Sequence, residues 1–85
     1  MINYDFSRYA EKEFLKLSHD IQKRIIKKLE FYLSQPNPLI FATNITTHTP
    51  QATYRFRIGD YRVIFDWEGT GILILRIGHR REIYR

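Results

Sequence analysis

The sequence predicts an α+β fold: a two-helix hairpin packed on a twisted, mainly antiparallel sheet, in the order β-α-α-β-β-β. Three observations carry it. An apolar stripe at helical spacing runs from Ile21 to Leu33. Gly59-Asp60 separates two strand-like runs. Pro36 and Pro38 close the helical half before the strand-rich half begins.

Ile2, Tyr4 and Phe6 alternate with Asn3 and Asp5, which suits a short strand at a sheet edge. Ser7 is an N-cap candidate, and apolar positions at Ala10, Phe14 and Leu17 predict a helix over 8–17. Ser18 is a second cap. After it, Ile21, Ile25, Leu29, Tyr32 and Leu33 form one face, with Lys23, Lys27 and Glu30 on the other. Gln35-Pro-Asn-Pro38 ends this helix, because proline lacks a donor and restricts its predecessor. Residues 39–53 are rich in threonine and read as a loop, anchored on the core by Ile40-Phe41 and Ile45. Strands follow at Tyr54–Ile58, Tyr61–Trp67 and Ile72–Ile77, with turns at Gly59-Asp60 and Glu68-Gly-Thr-Gly71. Neither an internal repeat nor a dividing linker is visible, so 1–85 reads as a single domain.

Composition narrows the function classes. A net charge of +5 favours an anionic partner. The absence of cysteine excludes a disulfide framework, a thiol nucleophile and a thiolate metal site. No apolar run reaches a membrane span and no signal-peptide block is present, so a cytoplasmic location and no membrane partner are expected.

The basic residues are sorted along the chain. All five lysines precede residue 29, and seven of nine arginines lie in 54–85. Arginine grips phosphate oxygens with a planar fork, so this segment reads as a phosphate-handling surface. With a two-residue loop at Gly59-Asp60, Ile58 faces Tyr61, Arg57 faces Arg62 and Phe56 faces Val63. Tyr54, Phe56, Ile58, Tyr61, Val63 and Phe65 then line the helix-packed face, and Arg55, Arg57 and Arg62 the other. Like charges directly opposite each other cost about 0.2–1 kcal/mol, which a bound polyanion would relieve. Solvated pairing with Asp60, Asp66 or Glu68 is the alternative. Continuing the same register places Ile64, Leu73, Leu75 and Ile77 on the arginine side. That requires either a bulge in the second loop that resets the faces or a cover over that side.

The terminal run Gly78-His-Arg-Arg-Glu-Ile-Tyr-Arg85 adds groups for phosphate chemistry. RNA carries its own nucleophile, the 2′-OH. Cleavage needs alignment of that hydroxyl, neutralisation of transition-state charge and protonation of the leaving 5′ oxygen. Arginines with one tyrosine or histidine supply these functions, and no cofactor or metal is expected.

Taken together, Tyr54-Arg-Phe-Arg-Ile-Gly-Asp-Tyr-Arg-Val-Ile-Phe and Arg76-Ile-Gly-His-Arg-Arg-Glu-Ile-Tyr-Arg resemble the RelE/ParE superfamily of toxins from type II toxin–antitoxin systems. The resemblance is strongest to the RelE branch, ribosome-dependent mRNA endonucleases that inhibit translation. It implies that Arg62 and Arg80 stabilise the transition-state phosphate and that Tyr84 orients the base or transfers a proton. His79 is a further catalytic candidate. Arg55, Arg57 and Arg81 are the RNA-binding candidates. The implied partners are mRNA in the ribosomal A site and a cognate antitoxin, with promoter DNA bound only through the antitoxin. A ParE-like, non-enzymatic inhibitor of DNA gyrase and a catalytically inactive nucleic-acid-binding relative are the other readings, since one scaffold serves several activities. The chain departs from the RelE pattern at Ile45-Thr-Thr-His-Thr-Pro-Gln-Ala-Thr53, which has no glycine. It also departs in using Arg55 and Arg57 where some relatives use lysines. Arginine stays protonated, so electrostatic positioning rather than base catalysis is expected of them.

Overall fold

A computed structural model of the chain describes residues 1–45 and 52–83. Its elements are β1 (Asn3–Phe6), α1 (Arg8–Leu15), α2 (His19–Leu33), a 3₁₀ turn (Pro38–Phe41), β2 (Ala42–Asn44), β3 (Thr53–Ile58), β4 (Tyr61–Trp67), β5 (Gly71–His79) and α3 (Arg80–Ile83). Two helices pack on a five-stranded mixed sheet of order β1-β5-β4-β3-β2, which is the expected α+β class.

Both serine caps form. The Ser7 hydroxyl accepts from the Ala10 N–H at 3.0 Å and that of Ser18 from the Ile21 N–H at 3.4 Å. The first helix ends two residues before the expected Leu17. The Gln22 amide takes over the carbonyls of Phe14 and Leu17 and ties the helix junction. The predicted stripe of α2 is its packed face: Ile25, Leu29, Tyr32 and Leu33 are buried.

Across the sheet, Phe56, Ile58, Val63, Phe65, Ile72, Ile74 and Ile77 meet these helix residues in one core. Each such side chain, fully buried, contributes about 1.5–3 kcal/mol. β1 lies at the sheet edge as expected, paired in parallel with β5 from Asn3↔Gly71 to Phe6↔Ile74.

The 39–53 stretch departs from its reading as a plain loop, for it contains the 3₁₀ turn and β2, which pairs Ala42 with Phe56. Ile40 is no core anchor; it is largely exposed. Pro38 is buried, Leu39 packs against the core, and Phe41 stacks on Tyr32 with centroids 4.8 Å apart. The glycine-free loop lies mostly outside the described residues, which resume at Ala52.

The register puzzle resolves inside β5. Ile64 pairs with Arg76 but Phe65 pairs with Ile74, so Leu75 is an extra residue. This bulge is placed within the strand rather than in the 68–71 turn. It returns Ile77 to the core face, while Ile64, Leu73 and Leu75 stay half-buried. Beyond Phe6, β1 no longer lines this strand, and α1 supplies the missing partners. Ser7 donates its N–H to the Ile74 carbonyl at 2.8 Å and its hydroxyl to that of Leu75 at 3.3 Å. Glu13 accepts the Ile77 N–H at 3.0 Å.

Candidate functional site

The β3–β4 hairpin has the register read from Gly59-Asp60: Ile58↔Tyr61, Arg57↔Arg62 and Phe56↔Val63. Gly59 has φ of +60° while Asp60 does not adopt positive φ, the sign pattern of a II′ turn. Two rows of residues therefore face away from the core. One is Arg57, Arg62 and Gly78; the next is Thr43, Arg55, Ile64 and Arg76.

The arginines differ sharply in exposure. Arg57 is exposed and Arg55 half-buried, but Arg62 is only 5% exposed. The Arg62 Nη1 donates to the carbonyls of Gly59 and Tyr61, each at 2.9 Å, so this guanidinium braces the turn from within the sheet face. Part of its cover is α3, which folds back after β5. A Cβ at Gly78 would lie 3.9 Å from the Ile83 Cβ, which places Ile83 over the outward row. Ile83 is buried, yet it does not belong to the main core cluster.

α3 is set by the turn it approaches. The Arg80 N–H donates to the Asp60 carbonyl at 2.8 Å, and its guanidinium lies 3.8 Å from the Asp60 carboxylate. Both side chains are more than half exposed, so the ion pair contributes under about 1 kcal/mol. Asp60 thus pairs with Arg80 rather than with the hairpin arginines, and Asp66 accepts from the Thr53 hydroxyl at 2.8 Å. Arg81 is exposed beside Arg80 on α3.

His79 is not brought to this face. It pairs with Tyr61 across β4–β5, its ring meets the Tyr61 ring edge-on at 5.5 Å, and both line a cavity of about 330 Å³ against α1 with Lys12, Glu13 and Lys16. Its Nδ1 accepts the Arg81 N–H at 3.1 Å, which starts α3 and leaves Nε2 to carry the proton of the neutral ring. Arg76 is likewise diverted. Glu13 binds it, and that hydrogen bond raises its pKa further. Tyr84 lies outside the described residues. The structure therefore sets Arg55, Arg57 and Arg62 on the outward side of the hairpin, ties Arg80 to the turn at Asp60, and leaves His79 on the other side of the sheet.

Sequence reading missed Glu13, whose partner is 63 residues away, and the convergence of α2 cations on Arg57. The first carries no local signal. The second was visible only as lysines and an arginine on one helix.

A family model described as ParE toxin of type II toxin-antitoxin system, parDE, matches residues 4–84. The chain belongs to the RelE/ParE toxin superfamily. Among solved structures, the toxin-antitoxin complex RelBE2 from Mycobacterium tuberculosis matches with 28% identity and a TM-score of 0.75, over 93% of this chain and 98% of that one. The isolated RelE toxin of E. coli matches at 25% identity and 0.66, over 99% and 92%. The RelE–RelB complex from Pyrococcus horikoshii shares the fold at 24% identity and 0.71, over 95% and 97%. No curated protein matches the sequence. The RelE/ParE toxin fold thus accounts for the arrangement of helices and sheet that carries the arginine face.

Proposed function

We propose that this RelE/ParE toxin is a ribosome-dependent mRNA endonuclease that inhibits translation. The observation that carries this reading is the Arg57↔Arg62 pair, two like charges opposed across adjacent strands, with Arg80 and Arg81 entering from α3. Such a cluster suits a phosphate whose charge grows in the transition state.

In this mechanism the 2′-OH attacks the adjacent phosphorus and loses its proton, a new O–P bond forms, and the P–O5′ bond breaks. The leaving 5′ oxygen takes up a proton, and a 2′,3′-cyclic phosphate remains. Because RNA supplies the nucleophile, the protein's task is alignment and charge neutralisation, with no metal or cofactor needed. Arg57 and Arg55 bind the backbone with Arg81, Arg62 and Arg80 hold the reacting phosphate, and Tyr84 stacks on the base or moves a proton. Ile83 of α3 lies over the row that holds Arg62, so a phosphate reaches Arg62 only once α3 moves aside. His79, on the α1 side, acts as a positioning residue that fixes the start of α3.

The M. tuberculosis match is a toxin-antitoxin complex, which supports a cognate antitoxin here. Promoter DNA would be contacted through that antitoxin. No helix among the described residues is long and apolar enough to cross a membrane. The ribosomal substrate of this reading is what would put the protein in the cytoplasm. The family model's ParE description favours one second reading, non-enzymatic inhibition of DNA gyrase.

Induction of wild type, Arg57→Gln and Tyr84→Phe, followed by primer extension on cellular mRNA, separates these readings. Cuts within translated codons in wild type, lost in both variants, support the endonuclease. Growth arrest with intact mRNA and double-stranded DNA breaks would establish the gyrase reading instead. An expressed protein with no growth effect would mark an inactive nucleic-acid-binding relative.

A further inference from the structure

Beside the arginine face, a cavity of about 500 Å³ opens between α2 and the end of β3 that β2 does not cover. Arg24, Lys27 and Lys28 of α2 line it, Arg57 stands at its rim, and Phe31 and Tyr32 form its aromatic wall. No carboxylate lines it, and none of these cations joins an ion pair among the described residues. Arg24 and Lys28 stand four apart on one helix face, where like charges repel. A bound anion would relieve that repulsion.

The wall is firm. Tyr32 donates its hydroxyl to the Arg57 carbonyl at 3.4 Å and stacks on Phe41, which fixes the ring from behind. Phe31 is 49% exposed, and the Lys28 ammonium lies 5.3 Å and 5.4 Å from the Phe31 and Tyr32 ring centres. Point charges beside a planar apolar surface are what one nucleotide requires: ammonium and guanidinium groups for the phosphate, a ring face for the unstacked base.

We propose that this cavity is a second RNA subsite, which takes the phosphate and base of one nucleotide in a single strand running past Arg57 from the arginine face. The inference rests on the nuclease reading and extends it, since Arg57 of the arginine face also borders the cavity. The cavity sets where the strand enters or leaves, and so adds affinity for single strands over duplex, whose bases are unavailable for stacking.

The test is binding of a short 2′-O-methyl single-stranded RNA, which has no nucleophile and reports affinity alone. Arg24→Gln with Lys28→Gln, and separately Phe31→Ala, are expected to weaken binding roughly ten-fold each. The double variant should also lower the salt slope by about 0.7 for each phosphate that the protein no longer neutralises. Lys23→Gln, a charge change on the same helix outside the cavity, should bind as wild type does. If Arg57→Gln weakens binding while both cavity variants match wild type, the subsite is refuted and the nuclease reading stands. If wild type binds no single-stranded RNA, the subsite is refuted, while the ribosome-dependent nuclease reading still stands or falls by primer extension. If the cavity variants lose affinity for an acidic peptide but not for RNA, the cavity is a protein-docking site and the proposal is overturned.

Discussion

Glu13 of α1 grips Arg76 of β5 and the backbone beside it. Arg76 Nη2 donates to Glu13 Oε2 at 2.9 Å, and its Nε lies 3.2 Å and 3.3 Å from the two carboxylate oxygens. Oε1 also accepts the Ile77 N–H. One carboxylate thus replaces the missing neighbour strand just past the bulge. Tyr9 lies under the same guanidinium at 5.2 Å.

Glu13→Ala should therefore destabilise the fold by about 2 kcal/mol, because it orphans a backbone N–H as well as a guanidinium. Arg76→Met, which keeps the apolar stem, should cost less. Urea titration of both variants measures the order, and a larger loss for Arg76→Met would refute the bracing role of the carboxylate.

Alkaline stability should follow Tyr4. Burial, then its hydrogen bond of 2.8 Å to Glu30, pushes its pKa from 10.0 up to about 12. The folded state favours the neutral phenol, so this contribution is complete below pH 10 and fades as pH rises towards 12. Burial raises Tyr32 in the same direction. Tyr4→Phe should lose about 1 kcal/mol at neutral pH and show a flatter decline above pH 10. Chemical denaturation across that range checks both.

Two glycines on β5 should respond oppositely to a methyl group. At Gly71 a Cβ would come within 2.9 Å of the Asn3 carbonyl oxygen, so Gly71→Ala must push β1 away, at about 1–3 kcal/mol. At Gly78 the nearest atom is the Ile83 Cβ at an ordinary contact distance, so Gly78→Ala should be neutral or stabilise by up to about 1 kcal/mol. Thermal melts of the pair decide; equal losses would contradict the geometry.

The two opposed arginines should separate stability from activity. Arg57→Gln, at an exposed site, should change stability by less than about 0.5 kcal/mol while abolishing cleavage. Arg62→Gln should cost about 1–3 kcal/mol as well, because its Nη1 holds two turn carbonyls. Denaturation curves beside primer extension distinguish the roles, and an unstable Arg57 variant would count against the assignment.

The hairpin was legible in the sequence because a two-residue turn leaves one register, and Gly59-Asp60 names that turn. The α2 stripe was legible because one helix face must be buried. The bulge at Leu75 was not, since Leu73-Ile-Leu-Arg76 carries no glycine or other mark of an extra residue. The burial of Arg62 was also hidden. Alternation gives the face a side chain leaves from, whereas part of its cover comes from a helix of only four residues, α3. His79 was grouped with the arginines by the family resemblance and its place in the terminal polar run, yet its pairing with Tyr61 turns it towards α1.

The parallel pairing of β1 with β5 sets an order of events. Ser7 and Leu75 are 68 residues apart, so this side of the sheet closes only after nearly the whole domain has been brought into place. The local β3–β4 and β4–β5 hairpins have no such delay. The amides of the β1 edge should therefore exchange with solvent well before those of the central strand β4. A rigid scaffold behind the arginine hairpin therefore requires both ends of the chain, because β1 must pair with β5 before the sheet is complete.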